Sequence, residues 1–131
     1  AVHPDQLPSF IPKLNKIIKR YPDFISTLAG HAGDANFHII PLIDLSTEEH
    51  RRQVVEMSNA VFDLVKEYDG TITAEHNDGL VRGPFLEHMY GPEIFALFKQ
   101  VKKIFDPENI FNPHKKTEAN MSYYTEHLRH N

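Results

Sequence analysis

Length, composition and charge place this 131-residue chain among globular proteins of one ordinary domain. Hydrophobic residues make up 40% of the chain and aromatic residues 11%, which disfavours disorder. The net charge of −4 argues against non-specific nucleic-acid binding, and the lack of cysteine excludes disulfides, thiolate metal sites and cysteine nucleophiles. We expect no membrane span and no signal peptide, and hence a cytoplasmic location.

The first part of the chain predicts one helix followed by two strands. Apolar residues recur at helical spacing over residues 7–21, and we expect the regular helix to begin near Pro12. Residues 24–28 and 36–43 are typical of strands, and a turn that contains two glycines separates them.

The remaining elements are two longer helices with a short strand between them. A capping-box pattern at Ser46 starts a helix with an apolar face, and Gly70 fits its C-terminal cap. Residues 71–74 are typical of a short strand. Pro92 fits the first position of a further helix, which ends before Pro107 because the residue before proline avoids the α region.

The order of these elements indicates an α+β fold. We expect a small antiparallel or mixed sheet with helices packed on one face. Beyond His114 the sequence is polar and aperiodic, so we expect a loosely packed tail there.

Histidine and carboxylate residues occur together at two places in the sequence. His31 and His38 lie seven residues apart around a glycine turn, and Glu75 follows the predicted strand 71–74. Two imidazoles and a carboxylate suit zinc or manganese and leave coordination positions open for water or substrate. In a continuous strand the histidines would face opposite sides, so only the turn could bring them together. Two unrelated histidines are the alternative.

Four neighbouring residues could assist such a site. His76 cannot easily reach the same metal as Glu75 from an extended backbone, and it could serve as a general base or be a solvated loop histidine. Asp34 and Asn36 could hold the turn or orient a ligating imidazole. Arg82 could bind an anionic substrate or form a surface salt bridge.

Three motifs resemble those of the C-terminal domain of FAD-linked oxidases, a family that includes D-lactate dehydrogenases, the glycolate oxidase flavin subunit and D-2-hydroxyglutarate dehydrogenases. Residues 30–38 resemble G-H-x-G-D-G-N-x-H, residues 75–79 the segment G-E-H-G-x-G, and residues 105–113 the closing F-D-P-x-x-x-x-N-P. The three occur in the family's order. Alanine or asparagine replaces the family's glycine at Ala35, Ala74 and Asn77.

The resemblance implies FAD-dependent oxidation of a D-2-hydroxy acid, of the lactate, glycolate or 2-hydroxyglutarate type, to the 2-oxo acid. It implies that His31, His38 and Glu75 bind a divalent metal, that His76 is the base and that Asn112 contacts FAD. The metal would bind the substrate's carboxylate and hydroxyl, and the C2 hydride would pass to FAD held mostly by a domain outside this chain.

The resemblance also implies a domain assignment and partners. Residues 1–116 would be an incomplete, ferredoxin-like FAD-linked oxidase C-terminal domain, and residues 117–131 a polar tail. An N-terminal FAD-binding domain or subunit and an iron–sulfur acceptor module would be partners, with a cytoplasmic location or a peripheral one at the membrane through them. A non-redox metal-dependent hydrolase and a non-catalytic assembly domain stay open as alternatives.

Overall fold

The chain folds as an α+β protein, as predicted, and the computed structural model describes residues 1–128. It divides into two compact units, one of Ala1–Ala74 together with Leu128 and the other of Glu75–His127. Within the described residues the sheet consists of two antiparallel strands, and the other regular elements are helices. None of the helices described is both long and apolar enough to cross a membrane.

Two amphipathic helices form the core of the first unit. Helix α1 spans Leu7–Ile18 and helix α2 spans Glu48–Glu67. The ring of Phe10 meets that of Tyr68 edge-on, with centroids 5.4 Å apart. The buried side chains of the two helices are Phe10, Leu14, Ile17, Met57, Val61, Leu64 and Val65. Their helical spacing confirms the apolar stripes read from the sequence.

Both helices begin at residues that differ from the predicted ones. Helix α1 begins at Leu7, with one proline in its first turn and Pro12 inside it. Pro12 forgoes only the bond to the carbonyl four residues earlier, a cost that the buried face of the helix offsets. Thr47, not Ser46, is the N-cap of α2, since its hydroxyl accepts a hydrogen bond from the His50 amide at 3.2 Å.

The two predicted strands form a hairpin. Strand β1 spans Ile25–His31 and strand β2 spans Asn36–Leu42, in antiparallel register. The predicted third strand at residues 71–74 is wrong, because the Thr71 hydroxyl accepts a hydrogen bond from the Thr73 amide at 3.2 Å and φ of Ala74 is 43°. A local side-chain bond and a left-handed residue both oppose an extended conformation.

The second unit is helical and includes part of the segment that we expected to be loose. Helix α3 spans Leu86–Phe105 and is kinked at Gly91, so that its longer part begins at Pro92, as predicted. Helix α4 spans Met121–Glu126, and Tyr124 within it is only 2% exposed. The expectation of a loosely packed tail is therefore wrong for this part, whereas residues 129–131 lie outside the described ones.

Candidate metal centre

The hairpin places the two predicted histidine ligands on the same face. His31 pairs with Asn36 and His38 pairs with Ala29, so the histidines are diagonal neighbours across the two strands. Their ring centroids lie 5.8 Å apart. The turn between the strands therefore brings together side chains that a continuous strand would separate.

The turn of the hairpin depends on a left-handed alanine. Ala32–Asp34 form one 3₁₀ turn, and Ala35 follows with φ 47° and ψ 34°. The Ala35 amide donates to the Ala32 carbonyl at 3.1 Å, and the Val2 amide donates to the Ala35 carbonyl at 3.2 Å. Ala35 thus adopts a conformation that glycine takes most easily, and backbone hydrogen bonds hold it there.

The two turn residues with a predicted supporting role differ in burial. Asp34 is exposed, whereas Asn36 is only 7% exposed. Among the described residues, the Asn36 side-chain oxygen accepts no hydrogen bond. Orientation of an imidazole by either side chain stays a prediction.

Glu75 and His76 lie on a loop with several left-handed residues. Positive φ angles occur at Ala74 (43°), Asn77 (61°) and Gly79 (54°). The His76 Nε2 lies 3.2 Å from the Glu75 Oε1, and both side chains are substantially exposed. The carboxylate is thus positioned to accept an N–H from this imidazole.

The three predicted ligands are divided between the two units. His31 and His38 lie on the hairpin of the first unit, and Glu75 is the first residue of the second unit. That Glu75 joins the two imidazoles on one ion stays a prediction. The donor set fits a divalent cation of the zinc or manganese type.

Hydrogen bonds from two basic side chains hold the loop after His76. Arg82 donates from its terminal nitrogen to the Asn77 carbonyl at 2.8 Å. The Lys116 Nζ donates to the Asn77 Oδ1 at 2.8 Å and lies 3.2 Å from the Asp78 Oδ2. Sequence reasoning missed Lys116 and Asp78, because no local pattern links residues so far apart. The substrate contact predicted for Arg82 stays a prediction.

The closing motif at residues 105–113 is built around Asp106. Its carboxylate accepts the Ile110 amide at 2.8 Å and the Phe111 amide at 2.9 Å, and it pairs with the Lys102 ammonium. Burial raises the pKa of Asp106, but the Lys102 ammonium and the two amides outweigh that effect, and the net pKa lies below its ordinary value. The aspartate of the closing motif therefore holds the turn that follows helix α3.

Asn112, the residue predicted to contact FAD, lies in this closing turn. It is exposed and has a φ of 49°, and its carbonyl accepts the Lys115 amide at 3.3 Å. An exposed left-handed turn leaves its amide side chain accessible, and the flavin contact stays a prediction.

Comparison with known proteins identifies the family. A family model described as FAD linked oxidases, C-terminal domain, matches residues 1–116. The chain is 34% identical over 113 residues to the D-2-hydroxyglutarate dehydrogenase of Stutzerimonas stutzeri. The matched region covers 84% of this chain and 24% of that protein.

Two further relatives carry related names. The mitochondrial D-lactate dehydrogenase [cytochrome] of Arabidopsis thaliana is 37% identical over 91 residues, covering 70% of this chain and 16% of that protein. The glycolate oxidase subunit GlcD of Bacillus subtilis is 34% identical over 110 residues, covering 84% of this chain and 23% of that protein. The chain spans about a quarter or less of the length of these relatives. It belongs to the FAD-linked oxidases and corresponds to their C-terminal domain.

Proposed function

We propose that this chain is the substrate-binding part of a flavin-dependent enzyme that oxidises a D-2-hydroxy acid to the 2-oxo acid. The observation that carries the proposal is the pair of imidazoles of His31 and His38, which lie on one face of the hairpin with ring centroids 5.8 Å apart; Glu75 would complete the donor set. The names of the relatives point to lactate, glycolate and 2-hydroxyglutarate as the substrate class. Membership of the oxidase family disfavours the hydrolase alternative.

His31, His38 and Glu75 would hold the divalent cation. The bound cation would supply Lewis-acid polarisation of the substrate's carboxylate and hydroxyl oxygens, which lowers the pKa of the hydroxyl. Three protein ligands leave at least one coordination position for substrate. His31 and Glu75 are exposed, which gives a substrate access to that position.

His76 would take the proton of the substrate hydroxyl. The Glu75 carboxylate has two oxygens, so one can accept the Nε2 proton of His76 while the other binds the cation. This hydrogen bond would fix the imidazole tautomer with Nδ1 as the proton acceptor. Arg82 uses one nitrogen for the Asn77 carbonyl, and its remaining N–H groups would bind the substrate carboxylate.

The closing segment of the second unit would contact the flavin-binding part of the enzyme. Four large apolar side chains are strongly exposed there, namely Ile104 (73%), Phe105 (78%), Ile110 (70%) and Phe111 (65%). Such a concentration of apolar surface is typical of an interaction site. Asn112 follows them directly and would contact FAD, which supplies hydride acceptance when bound. An iron–sulfur acceptor module and the cytoplasmic location stay predictions.

Metal binding tests the first part of the proposal. We expect the chain to bind one Zn²⁺ or Mn²⁺ in calorimetric titration, with an increase in melting temperature. His31→Ala, His38→Ala and Glu75→Gln should each weaken binding at least about tenfold. His88→Ala is the matched control, since His88 is exposed on α3 and lies outside the donor set. No binding, or equal binding by all variants, would contradict the proposal.

Flavin reduction tests the catalytic part. In the flavin-containing protein, D-lactate, glycolate or D-2-hydroxyglutarate should bleach the flavin absorbance. His76→Gln should slow this bleaching by about 10²–10⁴-fold, the usual contribution of a general base. An unchanged rate would overturn the assignment of the base. No bleaching with any 2-hydroxy acid would favour the non-catalytic assembly domain.

A further inference from the structure

An ion pair between the half-exposed Lys116 and the buried Asp78 in the second unit has no part in the proposed chemistry. The Asp78 side chain is only 2% exposed, and the Lys116 Nζ lies 3.2 Å from its Oδ2. Taking a carboxylate out of water is unfavourable unless a partner compensates it. Lys116 supplies that compensation from a position 39 residues after Asn77, beyond the closing motif.

Lys116 contacts three successive residues of the same loop. Besides pairing with Asp78, its Nζ donates to the Asn77 Oδ1 at 2.8 Å, and its backbone amide donates to the Gly79 carbonyl at 3.2 Å. The Asn77 Oδ1 also accepts the Asp78 amide at 2.9 Å. Lys116, Asp78 and Asn77 thus form one connected group, which we call the loop anchor.

The loop needs such support because of its backbone. Ala74 and Asn77, on either side of Glu75-His76, have φ angles of 43° and 61°. Left-handed conformations cost residues other than glycine free energy and persist only where surrounding contacts hold them. The loop anchor acts on the segment that follows His76 directly.

We propose that Lys116 is a positioning residue, which fixes Glu75 and His76 by holding the loop through Asp78 and Asn77. The expected effect on cation binding rests on the proposed function, because a loosened loop would weaken that binding through Glu75. Lys116 itself would touch neither the cation nor the substrate.

Lys116→Met, compared with Lys115→Met, tests this role in the full chain. Both variants remove one positive charge from adjacent positions, but Lys115 lies over the Tyr123 ring, 5.4 Å from its centroid. We expect Lys116→Met to speed amide hydrogen exchange in residues 75–79 at least about tenfold and to weaken Zn²⁺ binding about 10–100-fold. Lys115→Met should change neither, and Lys116→Arg should restore most of both.

The buried Asp78 left by Lys116→Met could unfold the second unit. Asp78→Asn/Lys116→Met removes both charges, so this variant should stay folded while its loop exchanges faster and binds Zn²⁺ more weakly than the wild type. If either folded variant matches Lys115→Met in exchange and in Zn²⁺ affinity, the inference is wrong. If the wild type binds no Zn²⁺ or Mn²⁺, the proposed function fails, and the exchange comparison alone decides the role of Lys116.

Discussion

Gly30→Ala is the most direct test of how the hairpin positions the two histidines. Gly30 has a φ of 142° and pairs with Phe37. A Cβ at this position would lie 2.2 Å from the Asn36 carbonyl oxygen and 2.9 Å from the Phe37 Cα. Both are backbone atoms, so the clash can be relieved only if the strands separate. A side-chain rotation cannot relieve it.

The expected cost of Gly30→Ala has two components. The positive φ costs about 1–3 kcal/mol for a residue other than glycine, and overpacking costs about 1–3 kcal/mol. The free energy of unfolding should therefore fall by about 2–6 kcal/mol, or the end of the hairpin should open. His31 follows Gly30 directly, so either response displaces its ring. Since about 1.4 kcal/mol corresponds to a tenfold change in affinity, we expect at least a tenfold loss of Zn²⁺ affinity.

Urea unfolding and calorimetric Zn²⁺ titration measure both effects of Gly30→Ala. Gly33→Ala is the matched control in the same hairpin, because a Cβ there meets no atom within 4 Å. The control should change stability by less than about 0.5 kcal/mol. If Gly30→Ala and Gly33→Ala have the same stability and the same Zn²⁺ affinity, the hairpin does not position His31 as argued.

Two further predictions concern the loop and the closing motif. Ala74→Gly should raise the free energy of unfolding by about 0.5–1 kcal/mol in urea unfolding, because glycine adopts the φ of 43° without strain; a loss of stability would contradict this. Asp106→Asn should lower the melting temperature at pH 7, since the depressed pKa of Asp106 means that its ionised form stabilises the fold above the unfolded pKa of about 3.9. That stabilisation is lost as the pH falls through the folded pKa, so the difference between wild type and variant should begin to shrink below about pH 3.9 and disappear only below the folded pKa; a difference that is independent of pH would refute it.

Periodicity predicted the helices and the hairpin but failed where local bonds compete with it. Helix α2 and the strands around the glycine turn follow from apolar spacing, which tertiary packing then reinforces. Residues 71–74 have the composition of a strand, yet the Thr71 hydroxyl bonds to the Thr73 amide and Ala74 is left-handed. Hydrophobic periodicity reports neither the side-chain hydrogen bond nor the backbone angle.

The sequence predicts which side chains would form the proposed site, but not the contacts that hold them. Spacing alone left open whether His31 and His38 converge, and the strand register decides it, because both lie on one face as diagonal neighbours. Lys116 could not have been predicted from spacing, since its contacts with Asn77 and Asp78 depend on the packing of the second unit. Long-range polar contacts of this kind have no sequence period.

The residues that stand at the three glycine positions of the motifs described above all have a left-handed backbone. Ala35, Ala74 and Asn77 all have positive φ, at 47°, 43° and 61°. Glycine adopts such angles without strain, whereas alanine and asparagine need contacts that hold them. Hydrogen bonds involving Val2 hold the first of these positions and those of Lys116 hold the third. It follows that cation binding in this chain should depend on those contacts.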